Sequence, residues 1–247
     1  MAKLNVKICG VKLKNPVIAA SGTFGFGREY NKVYDISVLG GVSTKGMTLE
    51  ARSGNPVPRI AEGRSVILNA VGLQNPGVGH FIKHDLEFLK NKGVAVVANV
   101  AGKTLDEYGE ICARLDGLVD FVELNISCPN VKAGGMAFGI KPESIKEVTR
   151  VSKNSLKKTP LMVKLSPNVE SIPVNAQAAQ SGGADCISLI NTLTGMAIDL
   201  DARKPVIANN TGGVSGMGIK PVALRMVYEA AHAVDIPVIG MGGIASG

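Results

Sequence analysis

Seven short apolar runs, each closing on a polar residue or glycine, constrain this chain more than any other feature. They are PVIAAS from Pro16, GGVSTKG from Gly40, VAVVANVAG from Val94, FVELNIS from Phe121, LMVKLS from Leu161, CISLIN from Cys186 and PVIGMGG from Pro237. Stretches with apolar residues at three- and four-residue spacing separate most of them, such as SIKEVTRVSKNSL after Pro142 and PVALRMVYEAAHAV after Lys220. Strands that are apolar nearly throughout and alternate with helices require a parallel sheet covered on both faces. A closed barrel and a doubly wound open sheet both meet that requirement. The run ends separate them: Ser21, Lys45, Asn99, Asn125, Lys164, Asn191 and Gly242 fall at the C-terminal tips of their strands. A barrel gathers every tip at one mouth, whereas an open sheet uses chiefly its switch-point crevice.

The pattern therefore predicts an α/β fold, a (β/α)8 TIM barrel, as a single domain over residues 1–247 with an N-terminal hairpin (LNVKICG, then VKLK). The letters ASG follow the seventh run directly, and a closed barrel needs an eighth strand and two more helices. The expectation is a barrel truncated after strand 7. At 247 residues and 45% hydrophobic composition the chain suits one sizeable core.

No apolar run reaches about 18 residues, and the N-terminus lacks the apolar stretch of a signal peptide. This predicts a cytoplasmic protein with no membrane association. Four cysteines (Cys9, Cys112, Cys128, Cys186) form no C-x-x-C pair, so no metal site is expected. Cys9, Cys112 and Cys186 sit in apolar surroundings and read as core; Cys128 does not. The net charge of +7 is dispersed along the chain, which argues against nucleic acid and suits anionic small ligands.

The tips carry the chemistry. GGVSGMG (Gly212–Gly218) precedes a helix, and GMGGIASG (Gly240–Gly247) follows a strand; bare backbone N–H groups in such loops cradle phosphate, and a helix N-terminus adds a favourable dipole. Glycines that merely serve turns are the alternative. Lys164, inside an apolar strand, and Lys45, at a strand end, need an anionic or electron-rich partner, because an isolated buried ammonium is costly. Asn69, Asn99, Asn125 and Asn191 offer paired donors and acceptors that match the edge of a pyrimidine or flavin ring. Singly, each is as well explained as a strand-end cap. Cys128, between Ser127 and Pro129, stands where a strand opens into a glycine-rich loop, and a thiol there can act as base or nucleophile. No Cys–His dyad or Ser-His-Asp arrangement is evident, and a base taking a proton from carbon is the favoured reading.

NPVIAASGTFGFGREY, STKG, NAVGLQNPG, NVAG, ELNISCPNVKAGG, KLSPN, INT, GGVSG and GMGGIASG, in that order, resemble the catalytic subunit of class 1 dihydroorotate dehydrogenase, in its NAD-linked subtype B. The resemblance implies an FMN-containing barrel that oxidises dihydroorotate to orotate in the biosynthesis of pyrimidines (UMP). It places FMN on Ser21, Lys45, Gly46, Asn99, Asn125, Lys164, Ile190, Gly216, Gly242 and Gly243. It places substrate on Lys45, Asn69, Ala70, Val71, Gly72, Leu73, Asn125, Asn191 and Thr192. Cys128 is implied as the base taking the C5 proton while hydride passes from C6 to flavin N5, with Lys164 offsetting charge on the flavin. A homodimer of barrels is implied, joined by an electron-transfer subunit carrying FAD and an iron–sulfur cluster, in a heterotetramer that reduces NAD. Two rival readings remain: a flavin barrel like that of dihydropyrimidine dehydrogenase, and a non-catalytic barrel fragment that binds a phosphate ligand.

Overall fold

The computed structural model describes residues 4–127 and 138–246. In chain order its elements begin with β1 (Val6–Ile8), β2 (Val11–Leu13), β3 (Ile18–Ala19), β4 (Gly41–Ser43), β5 (Ile60–Gly63) and β6 (Val66–Asn69). Helices α1 (Val78–His84) and α2 (Leu86–Asn91) lead to β7 (Ala95–Val100), α3 (Leu105–Leu115), β8 (Phe121–Asn125), α4 (Pro142–Asn154), β9 (Leu161–Lys164) and α5 (Ile172–Ser181). The last part holds β10 (Cys186–Leu189), β11 (Leu193–Met196), β12 (Ile198–Asp199), β13 (Lys204–Pro205), β14 (Thr211–Ser215), α6 (Lys220–Ala231) and β15 (Val238–Gly240). All seven apolar runs are strands, and the two helical stretches quoted above are α4 and α6.

The seven run in parallel in the order β3-β4-β7-β8-β9-β10-β15. Each strand lies beside the preceding one and the order never reverses. A doubly wound sheet must reverse, so this is the winding of a TIM-like barrel. Side-chain alternation then gives each strand two different jobs. Outward residues such as Val96, Ala98, Val122, Leu124, Val163 and Ile187 pack under the helices against Ile111, Leu115, Ile145, Val148 and Ala176. Each Val, Leu or Ile among them contributes about 1.5–3 kcal/mol when fully buried. The sheet–helix layer is the larger cluster and holds the fold.

Inward residues change character along each strand. Near the N-terminal ends Ala95, Val97, Phe121, Met162 and Cys186 form an apolar plug, closed by the β1–β2 hairpin through Leu13, Val6, Ile8 and Val11. Two residues further along, the same columns carry Asn99, Glu123, Lys164 and Ser188, all buried. The hairpin seals one end of the barrel and leaves the polar chemistry at the other.

Local signals start the helices. Thr104 caps α3, its Oγ1 accepting from the Glu107 amide at 3.2 Å, and Ser171 caps α5 by accepting from Val174. Pro142, Pro173 and Pro221 stand in the first turns of α4, α5 and α6.

A second sheet was not foreseen. The loops leaving the C-terminal ends of β4 and β10 pair as the antiparallel sheet β11-β14-β6-β5, with β12–β13 as a further hairpin. This corrects the reading of Gly212–Gly218 as one loop: Gly212 and Gly213 belong to β14, and only from Gly216 does the segment turn into the helix.

Candidate functional site

Lys45 and Gly46 leave the end of β4, and the main chain is pressed against its neighbours there. A Cβ on Gly46 would lie 2.8 Å from Asn99 Oδ1, 3.2 Å from Leu73 Cδ2 and 3.7 Å from Asn125 Nδ2. Only glycine lets three groups from β7, β8 and the loop after β6 approach so closely. Asn191 Nδ2 donates to Asn125 Oδ1 at 3.1 Å, and the Thr192 amide donates to Asn191 Oδ1. Thr192 Oγ1 stands 2.1 Å from where a Cβ on Gly213 would be, and Asn69 Nδ2 donates to the Gly213 carbonyl at 3.2 Å. Ser21 Oγ donates to the Thr44 carbonyl, directly before Lys45. Ser21, Lys45, Gly46, Asn69, Leu73, Asn99, Asn125, Asn191 and Thr192 thus form one continuous chain of contacts at the strand tips.

The late glycines adjoin this cluster, with Gly216 packed against Ser65 and Val66 of the β5–β6 hairpin. The Ile190 amide donates to the Met241 carbonyl, and a Cβ on Gly242 would stand 3.5 Å from Ile190 Cγ1. Gly216, Gly242 and Gly243 adopt φ of +109°, +123° and +73°, a region that favours glycine. A Cβ on Gly243 would meet the Gly216 carbonyl and the Lys220 amide, both at 3.0 Å. Two glycine turns therefore meet at the N-terminus of α6, where amide hydrogens and the helix dipole suit a phosphate.

The electrostatics are unusual for an interior. Lys164 closes β9, opposite Asn125 on one side and Ser188 on the other. It is only 4% exposed and makes no hydrogen bond or ion pair among the described residues. Lys45 is partly buried, and its ammonium is held below the ordinary lysine pKa of 10.5 by that burial and then by Arg59. Asn99 Oδ1 is buried without a partner among the described residues. A ligand bearing a phosphate, anionic or electron-rich edges and an N–H donor would satisfy this set. The orphaned oxygen and the glycine cradle fit a flavin mononucleotide.

Three residues that carry this site were missed from the sequence. Glu123 looked like one more residue of a strand. Arg59 holds the Asn69–Leu73 loop by donating to the Asn55 carbonyl at 3.1 Å and to Gln74, and Asn55 Nδ2 donates to the Ala70 carbonyl. The alternation placing Glu123 on the same side as Asn125 was the available signal for the first; Arg59 and Asn55 had none. Cys128 lies outside the described residues.

Cys9 departs from the core reading. It is half-buried with φ +48°, its thiol donates to the Asp185 carbonyl at 3.2 Å, and the Cys186 thiol beside it draws its pKa down. Cys112 and Cys186 are buried, and burial pushes the Cys112 thiol up to about 12. A cavity of about 340 Å³ beside Cys9, lined by Lys153, Lys157, Lys158 and Asp185, opens at the plugged end and contains none of the mouth residues. Among the described residues no group of three or more His, Cys, Asp or Glu could hold a metal ion. No described helix is long and apolar enough to cross a membrane.

Comparison with known proteins shows what the chain is similar to. The family model described as dihydroorotate dehydrogenase matches residues 3–247. A protein of Alkaliphilus metalliredigens named dihydroorotate dehydrogenase B (NAD(+)), catalytic subunit, is 57% identical over 250 residues, covering 100% of this chain and 82% of that protein. One of the same name from Thermoanaerobacter pseudethanolicus is 56% identical over 244 residues, covering 98% and 80%. The crystal structure of DHODH from Eimeria tenella in complex with ferulenol superposes with a TM-score of 0.78 at 21% identity. It covers 99% of this chain and 74% of that one, and supports the barrel fold.

Proposed function

Since the chain belongs to the dihydroorotate dehydrogenase family, we propose that it oxidises dihydroorotate to orotate in pyrimidine biosynthesis, with FMN resident at the mouth. The observation that carries this is the convergence of Asn69, Leu73, Asn125 and Asn191 with Gly46, beside the Gly216–Gly243 cradle that β14 and Ile190 join to them.

Gly216, Gly242, Gly243 and the N-terminus of α6 would hold the phosphate of FMN. Lys164, together with Ser21, Gly46, Asn99 and Ile190, would hold its ring. FMN, when bound, supplies the acceptor for the hydride that leaves C6. The substrate carboxylate is taken by Lys45 and the main-chain N–H groups of the Asn69–Leu73 loop, which Arg59 and Asn55 brace from behind. Asn125 and Asn191, fixed by their mutual hydrogen bond, orient the ring amides, and Thr192 closes that side. Such positioning lowers the barrier by several kcal/mol. Cys128 takes the C5 proton. Electrons leave through a partner subunit towards NAD, in line with the relatives' "catalytic subunit" names.

The chain titrated with FMN should take up the flavin, and anaerobic dihydroorotate should bleach its visible absorbance. Bleaching by dihydrouracil in place of dihydroorotate would transfer the reading to a dihydropyrimidine. A chain that retains no flavin would remove the cofactor from the reading.

The lowered pKa of Lys45 gives a pH signature. A bound anion favours the charged lysine, so affinity for orotate falls as pH rises through that pKa. The fall should start at lower pH than it would for an ordinary lysine at 10.5. Arg59 adds like charge, so in Arg59→Gln the alkaline limb should move to higher pH, whatever happens to the absolute affinity. Orotate titrations across pH 7–10, followed by flavin absorbance, decide it; an unmoved limb removes Arg59 as a cause.

A further inference from the structure

Beneath the mouth lies a carboxylate that the reaction just described does not use. Glu123, on β8, is 1% exposed. Its Oε2 accepts from Asn99 Nδ2 at 2.6 Å and from Ser43 Oγ at 2.7 Å, and its Oε1 accepts from Ser188 Oγ at 2.6 Å. The donors come from β7, β4 and β10, and none is a cation; among the described residues Glu123 has no ion pair. Burying a carboxylate on neutral donors costs several kcal/mol before its hydrogen bonds are counted. An apolar residue would fill the space more cheaply, so what Glu123 does differently is accept only.

That one-way character has a consequence for Asn99. An asparagine amide has one donor end and one acceptor end of nearly equal shape. A carboxylate beside it tolerates only the donor end. Asn99 Nδ2 is therefore held inward, and Oδ1 is held outward against Gly46, where it is buried without a partner among the described residues. An orphaned buried acceptor calls for a donor brought by something else. The oxidised flavin ring has a single N–H donor, on its pyrimidine edge.

We propose that Glu123 is a positioning residue: it fixes the Asn99 amide so that the mouth presents an acceptor, not a donor, to the ligand's N–H edge. This rests on the flavin reading for the identity of the ligand, but not for the orientation of the amide. Ser43 and Ser188 complete the device, because their hydroxyls are spent on Glu123 and cannot compete for Asn99. With glutamine at position 123 the acceptor-only group is gone. A side-chain amide has one end of each kind, and the Asn99 flip is then no longer penalised.

The lock is tested first without flavin. In wild-type protein labelled with 15N, one Asn99 side-chain amide proton, assigned by its loss in Asn99→Asp, should resonate downfield of ordinary amides and exchange slowly. Glu123→Gln should abolish that signature while Ser188→Ala, which removes a donor elsewhere on the carboxylate, should leave it in place. A packing role would be disturbed by both. FMN fluorescence titration should then show affinity weakened on the order of tenfold in Glu123→Gln. An ordinary Asn99 signal in the wild type, or an unchanged one in Glu123→Gln, overturns the proposal. If Glu123→Gln does not fold, the wild-type signal decides alone. A locked amide with equal FMN affinity in wild type and Glu123→Gln overturns the positioning of the ligand. A locked amide in a wild type that takes up no FMN upholds the orientation and overturns the flavin reading instead.

Discussion

Replacing Cys128 with serine is expected to slow reduction of the bound flavin by dihydroorotate by about 10²–10⁴-fold, the usual worth of a positioned acid–base group. A hydroxyl is a far weaker base than a thiolate near neutral pH, while the side chain keeps its length and branching. Orotate and FMN affinity should stay within about threefold, because neither Lys45 nor the asparagines are touched. The wild-type rate should rise with pH as the thiol deprotonates, and the serine variant should lose that limb. Asn125 ends β8 and Ile126 follows it, and a Cβ on Gly139 would stand 2.5 Å from the Ile126 carbonyl. The Asn125 carbonyl at the same strand end accepts from Tyr108 Oη at 2.9 Å. Reduction within about threefold of the wild-type rate would take Cys128 out of the proton transfer.

How far such a site could be read in advance follows from the range of the forces that build it. The barrel strands were legible because burial on both faces forces nearly unbroken apolar runs, as in β7, where all six residues are buried. The strand tips were legible because polar residues there break the runs at Lys45, Asn125 and Lys164. The antiparallel sheet was not. Its strands, IAEG, VILN, LTGM and TGGVS, are short, and three of the four contain glycine. The two local pairs become one sheet only when β14 meets β6, partners more than a hundred residues apart, as Val214 is with Leu68. Glu123 was hidden for a related reason. Within FVEL it reads as a charged interruption of a strand, and only the closing of β4, β7 and β10 around β8 brings Ser43, Asn99 and Ser188 to it. Gly212 and Gly213 mislead in the opposite sense. Their missing side chains make room for the Asn69 carbonyl and Thr192, so they read as a phosphate loop while serving as a strand.

Lys164 should separate cofactor binding from stability. Lys164→Met keeps the length and apolar stem of the side chain and deletes its charge. In the flavin-free chain that side chain is 4% exposed and makes no hydrogen bond or ion pair among the described residues, while the carboxylate of Glu123 takes its three hydrogen bonds from neutral donors. Methionine needs no such partner, so the flavin-free variant should lose no stability, and its Tm should equal or exceed that of the wild type. With flavin present the charge matters. A cation beside the ring offsets negative charge that grows as the ring is reduced, and a group of that kind is worth roughly 2.7–4 kcal/mol. Flavin affinity or the rate of reduction should therefore fall by about a hundredfold or more. Thermal unfolding with and without FMN, beside stopped-flow reduction by dihydroorotate, reads both effects in one variant. A flavin-free variant that melts lower than the wild type yet binds and reduces flavin normally would make Lys164 a structural cation, with its partner elsewhere in the chain.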